Sequence, residues 1–435
     1  MTKLQPKLRK SMNASRMHAK RKSREESARE TRESLVKSGF KVVSRHGYAK
    51  ASVSRITEAS GVAAGTFYSY FESHQQFLDQ LLPTEGVRLL DILGKGAHQS
   101  ADYFDHEKRT FLAFFAYLKR KPYFLRVLTE AEIAAPQSFA QHMRNIEHRY
   151  LRALHRAQGR GEIRPQGDRS FRVIAEVLSG ARGHIAIGFS DRSSARPFRL
   201  GHVPDWVVES YVKFARYGLR NRGLSEHPAD LVGSRTRRER PQDTRSILLD
   251  SAARVVHHAG YPGASVQAIT DMAGVAVGTF YAQFSSRQAL LEELLTHVRS
   301  DMLSEVTEAI RGSKSFAELE CRGFYRFFDY LVRNPWYVRI ETEAAVWTPA
   351  SYLRHFFYLA DRYSKTMRRS WAQGELQAYE ERELPVLACI FMAARHYLAT
   401  RYVLATSTPK RIPSWVGNTY IDFLYRGLEH PSQKS

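Results

Sequence analysis

The chain has 435 residues, 43% of them hydrophobic, and its 66 Lys and Arg outnumber its 44 Asp and Glu to give a formal net charge of +22. This composition excludes a wholly disordered chain, and no apolar run is long enough for a membrane-spanning helix. The charge favours a phosphate-rich partner, with an anionic membrane surface as the competing explanation. Cys321 and Cys389 are far apart in the sequence and predict buried reduced thiols, so we expect neither a metal site nor a cofactor.

Residues 1–25 are predicted to form a basic disordered arm. The first 24 residues contain no acidic side chain, so such an arm would add affinity for nucleic acid by releasing counterions. A plain disordered terminus is the alternative. Apolar residues then recur at helical spacing through residues 26–46, and Gly47 is placed to end that helix.

The stretch ASVSRITEASGVAAGTFYSYF, residues 51–71, has the outline of a helix–turn–helix. Ser52 can cap the first short helix through its hydroxyl group, and Gly61 allows the tight turn that follows. Phe67 and Phe71 lie four residues apart and predict the buried face of the second helix. The N-terminal residues of such a second helix can reach base edges in the major groove of DNA.

The second half of the chain repeats the first half. GVAAGTFYSYF at 61–71 returns as GVAVGTFYAQF at 274–284, an offset of 213 residues. Over residues 43–82, 21 of the 40 aligned pairs are identical, and the correspondence continues to the end of each half. Each half is therefore one complete unit. Residues 222–243, which are polar, basic and interrupted by Pro and Gly, predict the linker.

Aromatic-rich helices broken by proline follow the helix–turn–helix in each half. Glu130 and Glu343 each lie four residues after an arginine, Arg126 or Arg339. An ion pair within one helix is the favoured interpretation, and a ligand-binding carboxylate is the alternative for these two acids and for Glu132 and Glu341.

Two amphipathic helices close each half, and small residues on them would allow close packing against a partner helix. These residues are Gly180, Ala181 and Gly183 in the first half and Ala393 and Ala394 in the second half.

The pattern GYxxxSVxxIxxxxGVxxGTFYxxFxS, present in both halves, resembles the DNA-binding domain of the TetR/AcrR family of bacterial regulators. The resemblance implies an all-α fold of two tandem units, each with an N-terminal helix–turn–helix three-helix domain and a helical ligand-binding and dimerisation domain. The expected boundaries are 26–82 and 83–221 in the first unit, and 244–295 and 296–430 in the second. The basic N-terminus lacks an apolar segment of signal-peptide type, so we expect a cytoplasmic protein, and the resemblance implies a location at the bacterial nucleoid.

By the same resemblance, the phosphate-binding positions are Ser52, Tyr68 and His74 in the first half and Ser265, Tyr281 and Arg287 in the second half. The base-facing positions are Ser54, Ala64, Gly65, Tyr70, Gln267, Val277, Gly278 and Gln283, and Thr66 and Thr279 complete the predicted DNA-binding set. Both Tyr70 and Gln283 are expected to be exposed. The family commonly has lysine where this chain has His74, and a histidine is mostly neutral at neutral pH, so the first half is expected to hold phosphate less firmly.

These features predict a sequence-specific transcriptional regulator, in particular a repressor that responds to a small apolar or amphipathic effector. Its two halves would pair within one chain on one DNA operator with unequal half-sites, while a homodimer of chains is the alternative arrangement. A basic architectural protein without effector response is the alternative function. The sequence contains no P-loop, GxSxG, HExxH or dinucleotide fingerprint, so we expect no enzyme activity.

Overall fold

The computed structural model describes residues 5–193, 198–220, 243–405 and 408–430, with side chains from residue 25 onward. Within these ranges the chain forms eighteen α-helices, nine in each half, and no β-strand. The predicted all-α fold with two tandem units is thus confirmed. The predicted linker lies outside the described residues except for Asp243, which caps the first helix of the second unit.

The first unit contains nine helices in the described residues. They are α1 (Gln5–His46), α2 (Val53–Ser60), α3 (Ala64–Tyr68), α4 (His74–Gly96), α5 (Tyr103–Arg120), α6 (Phe124–Ala134), α7 (Pro136–Gly159), α8 (Asp168–Gly188) and α9 (Asp205–Tyr217).

The helices of the second unit follow in the same order. They are α10 (Thr244–Gly263), α11 (Val266–Ala273), α12 (Val277–Gln283), α13 (Arg287–Ala309), α14 (Phe316–Arg333), α15 (Trp336–Trp347), α16 (Pro349–Ala372), α17 (Leu384–Tyr402) and α18 (Ser414–Arg426).

The helix–turn–helix forms as the sequence predicts. The Ser52 hydroxyl accepts a hydrogen bond from the backbone N–H of Arg55, and Ser265 caps α11 in the same way. Gly61 ends α2 in the left-handed conformation with φ 72°, which a residue without Cβ adopts at no steric cost. Ile56 and Phe67 are fully buried, so the two short helices pack on the core of the domain.

The N-terminal arm differs from its prediction. In place of a disordered segment over 1–25, α1 begins at Gln5 and runs without interruption to His46. Residues 7–46 contain no proline and are rich in Lys, Arg, Ala, Ser and Glu, so nothing in the sequence breaks the helix that continues back from the domain.

The predicted boundaries between the domains fall inside continuous helices. α4 crosses the boundary at 82 and 83, and α13 crosses the one at 295 and 296. Each begins at a serine cap, Ser73 or Ser286, directly after the helix–turn–helix. The DNA-binding domain of each unit, hereafter the head, is therefore connected to its regulatory domain by a helix.

The two units pack against each other through their regulatory domains. α8 lies along α17, α9 contacts α17 and α18, and α6 packs on α15. A Cβ atom at Gly180 would overlap the Tyr397 ring, so this glycine allows the close approach of α8 and α17. Cys321 and Cys389 are buried and form no disulfide bond, as predicted.

The ends of the two units exchange backbone hydrogen bonds. The N–H of Leu219 donates to the carbonyl of Leu424 at 2.7 Å, and the N–H of Leu428 donates to the carbonyl of Ala215 at 3.0 Å. Near the end of each unit the repeat offset is 209 residues, so Ala215 and Leu219 correspond to Leu424 and Leu428. The two bonds are therefore related by an approximate two-fold operation.

Ion pairs also join the two units. Arg401 binds Glu147 at 3.0 Å, Lys213 binds Glu383 at 2.7 Å, and Arg164 binds Asp422 at 2.6 Å. Among the described helices, none is long and apolar enough to cross a membrane.

Candidate nucleic-acid interface and effector cavity

Most of the predicted DNA-binding residues lie at the surface of the two heads. Exposed side chains or backbone are found at Ser52, Ser54, Ala64, Gly65, Tyr68, Ser265, Gln267, Gly278 and Tyr281. Thr66, His74, Val277, Thr279 and Arg287 are half-buried. Their contact with DNA stays a prediction.

The tyrosines of the GTFY motif are the most exposed aromatic residues described in the two heads. Tyr68 and Tyr281 are each 60% exposed. Each ring meets the edge of the preceding buried phenylalanine, Phe67 or Phe280, with ring centroids 5.3 Å apart. One side of each ring is thus held by the core while its hydroxyl faces outward, an arrangement suited to contacting a partner.

Gly65 and Gly278 lie in open space on the same surfaces. A Cβ atom built at either position would meet no atom within 4 Å. The packing of the head therefore does not require glycine at these positions, and the small size of this residue leaves room for a partner to approach the backbone closely.

The prediction that Tyr70 and Gln283 are exposed was wrong, because both side chains are half-buried. Tyr70 lies beyond the end of α3 and packs against the core. Gln283 is the last residue of α12, and its side-chain oxygen is 3.4 Å from the Arg245 guanidinium. Each can present only part of its side chain to a groove.

His74 and Arg287 contact the chain just before the helix–turn–helix. His74 Nε2 donates a hydrogen bond to the carbonyl of Ala51 at 2.5 Å. Arg287 donates to the carbonyl of Pro262 at 3.3 Å, and its guanidinium lies 4.8 Å from the centre of the Tyr261 ring. Both side chains help to fix the position of the helix–turn–helix.

A basic side chain on the first helix of each head was not identified from the sequence. Arg32 lies over Phe71, and Arg245 lies over Phe284 with its guanidinium 4.4 Å from the ring centre. Arg245 also pairs with Glu293, while Arg32 donates to Gln80. The recurrence of this arginine at the 213-residue offset was the signal available in the sequence.

A buried carboxylate connects each head to the regulatory domain. Glu130 on α6 accepts hydrogen bonds from Arg126 at 2.6 Å and from the backbone N–H of Tyr48 at 2.8 Å. In the second unit, Glu343 on α15 pairs with Arg339 at 3.4 Å and accepts from the backbone of Tyr261. Both predicted ion pairs are present, and each acid also holds the turn that follows the first helix of its head.

Burial raises the pKa of both carboxyl groups, while the paired arginine and the backbone donor lower it. The net direction is upward for Glu130 and for Glu343. The cause is desolvation, since Glu130 is 0% exposed and Glu343 is 1% exposed.

The regulatory domain of the second unit encloses a cavity of about 570 Å³. Helices α13 to α17 form most of its wall, with apolar side chains such as Met302, Leu303 and Phe327. Helices α6, α7 and α8 of the first unit complete the wall, where Leu128, Glu132 and His184 face the cavity. This size and lining suit a small organic molecule.

Three acids that line this cavity are paired with an arginine or a histidine, and a fourth, Glu375, accepts a hydrogen bond from the backbone N–H of Phe316. Glu341 accepts from His355 at 2.6 Å, and Glu132 contacts His396 at 3.2 Å. Glu320 pairs with Arg395 at 2.8 Å at the base of the cavity. The described His, Cys, Asp and Glu side chains form no group of three or more that could hold a metal ion.

A sequence model for bacterial regulatory proteins of the tetR family matches the chain twice, over residues 35–81 and 248–294. The chain is 26% identical over 182 residues to the HTH-type transcriptional repressor KstR of Mycobacterium tuberculosis. The match covers 42% of this chain and 80% of that protein. It is 24% identical to KstR of Mycolicibacterium smegmatis, over 42% of this chain and 87% of that protein.

Among solved structures, a transcriptional regulator of the same family from Aquifex aeolicus VF5 is 20% identical, with a TM-score of 0.33, and the match covers 42% of this chain and 98% of that one. The two family matches fall on the two heads, at equivalent positions of the repeat. The chain is therefore a transcriptional regulator of the TetR/AcrR family that carries two family units in tandem.

Proposed function

We propose that this protein is a ligand-responsive repressor whose two halves act as a covalent pseudo-dimer on one DNA operator. The observation that carries the proposal is the placement of two equivalent heads on one body, with the regulatory domains joined by α8, α9, α17 and α18. A dimeric regulator recognises two half-sites related by approximate two-fold symmetry, and the repeat supplies both heads in one molecule.

The hydrogen bonds exchanged between Leu219 and Leu424 and between Leu428 and Ala215 support pairing of the two halves within one chain. In a homodimer, bonds of this kind would join two separate chains, whereas here both bonds join the two units of one chain. The 22-residue linker, residues 222–243, keeps the two units at high local concentration, so pairing within the chain outcompetes pairing between chains.

The two heads are expected to read related but unequal half-sites. Tyr68 and Tyr281 are equally exposed, so both heads would contact the backbone of the duplex in the same way. The exposed polar residue Ser54 is replaced by Gln267 in the second head, and Ala64 is replaced by Val277. A glutamine can bond an adenine edge, whereas a serine discriminates less, so the sequence read by each head should differ.

Effector response is supported by a physical connection between the cavity and both heads. Helix α6 places Thr129 at the cavity and the next residue, Glu130, on the backbone of Tyr48. Helix α15 repeats this arrangement with Thr342 at the cavity and Glu343 on Tyr261. An effector that shifts these two short helices would move both heads and would lower operator affinity by its preference for the shifted state.

The assignment as a repressor is supported by the relatives from Mycobacterium tuberculosis and Mycolicibacterium smegmatis, which are both named as repressors. Selection of bound fragments from genomic DNA tests the proposal, because it yields the operator, its asymmetry and its position relative to a promoter. We expect one motif with two unequal half-sites centred about one helical turn apart, roughly 34 Å.

The net charge of +22 favours a second candidate, an architectural protein that binds DNA without sequence preference. Footprinting separates the two functions. A single protected site of about 15–30 base pairs supports the regulator, since two heads reading adjacent turns cover that length. Uniform protection along the fragment at physiological salt supports the architectural protein.

A further inference from the structure

We infer that the chain binds one effector molecule, in the second unit only, and that this effector is an amphipathic anion with an apolar body. The first unit has no ligand site of its own, and it supplies part of the wall of the ligand site in the second unit. The inference rests on the proposed ligand response.

The two units have the same group of three polar side chains, a glutamate, an arginine and a tyrosine, at the cavity. In the second unit Glu320 binds Arg395 and accepts a hydrogen bond from Tyr420 at 2.9 Å. In the first unit Glu107 binds Arg182 at 2.6 Å and accepts from Tyr211 at 2.8 Å. The cavity of the second unit measures about 570 Å³, and the equivalent cavity of the first unit only about 60 Å³. Because the Glu–Arg–Tyr group is common to both units, it does not explain this difference in volume.

The first difference lies where α8 and α17 cross. Tyr397 of the second unit lies against Gly180 and lines the small cavity of the first unit. The equivalent residue of the first unit is His184, which lines the large cavity together with Tyr397, and the repeat has Ala393 where the first unit has Gly180. At this crossing the second unit therefore contributes a tyrosine to the wall of the small cavity, and the first unit contributes a smaller imidazole to the wall of the large one.

The second difference lies at the mouth. In the first unit Arg149 reaches across Gly94 and donates to the carbonyl of Leu90 at 3.3 Å. In the second unit Thr307 replaces the glycine and accepts a hydrogen bond at 2.9 Å from Arg362, the equivalent arginine. Arg149 is thus half-buried in the wall of its cavity, while Arg362 is exposed in the lining of the other.

The third difference is inside. Thr110 of the first unit accepts a hydrogen bond from Arg182 at 2.8 Å, and its side chain occupies space beside the Glu–Arg–Tyr group. Its equivalent in the second unit is Gly323, which faces the large cavity without a side chain. Each of the three differences removes volume from the first unit or adds volume to the second.

The charge of the rim indicates the chemical class of the effector. Exposed basic side chains at the cavity lining are Arg311, Lys314, Arg362 and Arg369. Within the described residues neither Lys314 nor Arg369 has an ion pair. Of the four acids in the lining, Glu132, Glu320 and Glu341 are paired, and Glu375 accepts a hydrogen bond from the backbone of Phe316. An apolar body would fill the space between the apolar walls, and an anionic group would lie at the basic rim.

The test uses 8-anilino-1-naphthalenesulfonate, an apolar fluorophore with a sulfonate group, titrated into the full-length protein in the absence of DNA. Leu303 and Leu90 are equivalent leucines that line the large and the small cavity. We expect one saturable site per chain, a loss of probe affinity of about 10-fold or more in Leu303→Trp, and a change within about twofold in the matched control Leu90→Trp.

The variant His184→Tyr tests the wall that the first unit supplies, and it should also weaken probe binding. Thermal unfolding and operator binding of each variant without the probe establish that the variants fold. Two equivalent sites per chain, equal losses in Leu303→Trp and Leu90→Trp, or no saturable binding would each overturn the inference. Specific operator binding by the free protein is a separate readout, so the regulator assignment can stand or fall independently.

Discussion

The two units of this chain share one architecture but differ in what each part retains. The heads are nearly equivalent at the surface, with Tyr68 and Tyr281 both 60% exposed and Gly65 and Gly278 both in open space. The regulatory domains differ, because one holds a cavity of about 570 Å³ and the other holds about 60 Å³. The two units of a duplicated chain can thus keep equivalent head surfaces while their regulatory domains differ in cavity volume.

The largest expected effect concerns the carboxylates that hold the heads. Glu130→Ala leaves Arg126, whose side chain is only 12% exposed, without its partner, and we expect the free energy of unfolding to fall by about 3–5 kcal/mol. Glu343→Ala should cost about half as much, since Arg339 is 39% exposed and can be solvated by water. Urea unfolding followed by circular dichroism measures both changes, and equal losses would contradict this contrast between the units.

Charge reversal at the predicted DNA surface should give the next largest effect. Gly65→Glu and Gly278→Glu place a carboxylate in open space on the predicted DNA surface, so operator affinity should fall about 100-fold in each case through repulsion by phosphate. Gly167→Glu adds the same charge at an exposed glycine outside the heads and serves as the control. If the control weakens binding as much as the two head variants, the surface assignment is wrong.

A smaller effect is expected from the tyrosine hydroxyl groups. Tyr68→Phe and Tyr281→Phe keep the ring on its buried phenylalanine and remove one hydrogen bond to phosphate, which should lower operator affinity about 10-fold. Tyr358→Phe, at a tyrosine 46% exposed on α16, is the matched control. Fluorescence anisotropy at physiological salt measures the affinities, and unchanged values for both head variants would remove these residues from the interface.

The smallest expected effect is on the pH dependence of the free energy of unfolding, and it distinguishes the equivalent histidines His142 and His355. Burial lowers the pKa of His142 to about 4, and neither ring nitrogen has a hydrogen-bond partner among the described residues, whereas His355 binds Glu341 at 2.6 Å. Because the folded pKa of His142 is depressed, its neutral form contributes stability above the unfolded value of 6.5, and this contribution is lost as the pH falls towards 4.

Between pH 6 and pH 5 this loss should amount to about 1 kcal/mol, measured as the change in the free energy of unfolding. His142→Leu should reduce the pH dependence by that amount. His355→Leu is the matched variant, and it should leave the contribution of His142 in place. An unaltered pH dependence in His142→Leu would show that the buried imidazole does not titrate on unfolding.

The sequence predicted the parts of the fold that depend on local patterns. The serine caps at Ser52 and Ser265, the turn at Gly61 and the ion pairs of Glu130 and Glu343 follow from side-chain chemistry and spacing, and all are present. The exposure of Tyr70 was predicted wrongly, because α3 ends two residues earlier and tertiary packing turns the ring towards the core.

The difference between the cavities could not be predicted, since it depends on contacts between distant segments. Tyr397 reaches the first unit only because α17 lies against Gly180, a contact that no local pattern specifies. The differences between Gly94 and Thr307 and between Thr110 and Gly323 are visible in the repeat. Their effect on cavity volume could not be predicted, because it depends on the side chains of neighbouring helices.

The most direct measurement of the central claim is the mass of the complex between the protein and its selected operator, determined by sedimentation equilibrium or light scattering. A pseudo-dimer within one chain predicts one 49.9 kDa chain per operator, with both half-sites protected in the footprint. Two chains per operator, or a free protein of twice that mass at the concentrations used for binding, would contradict the account.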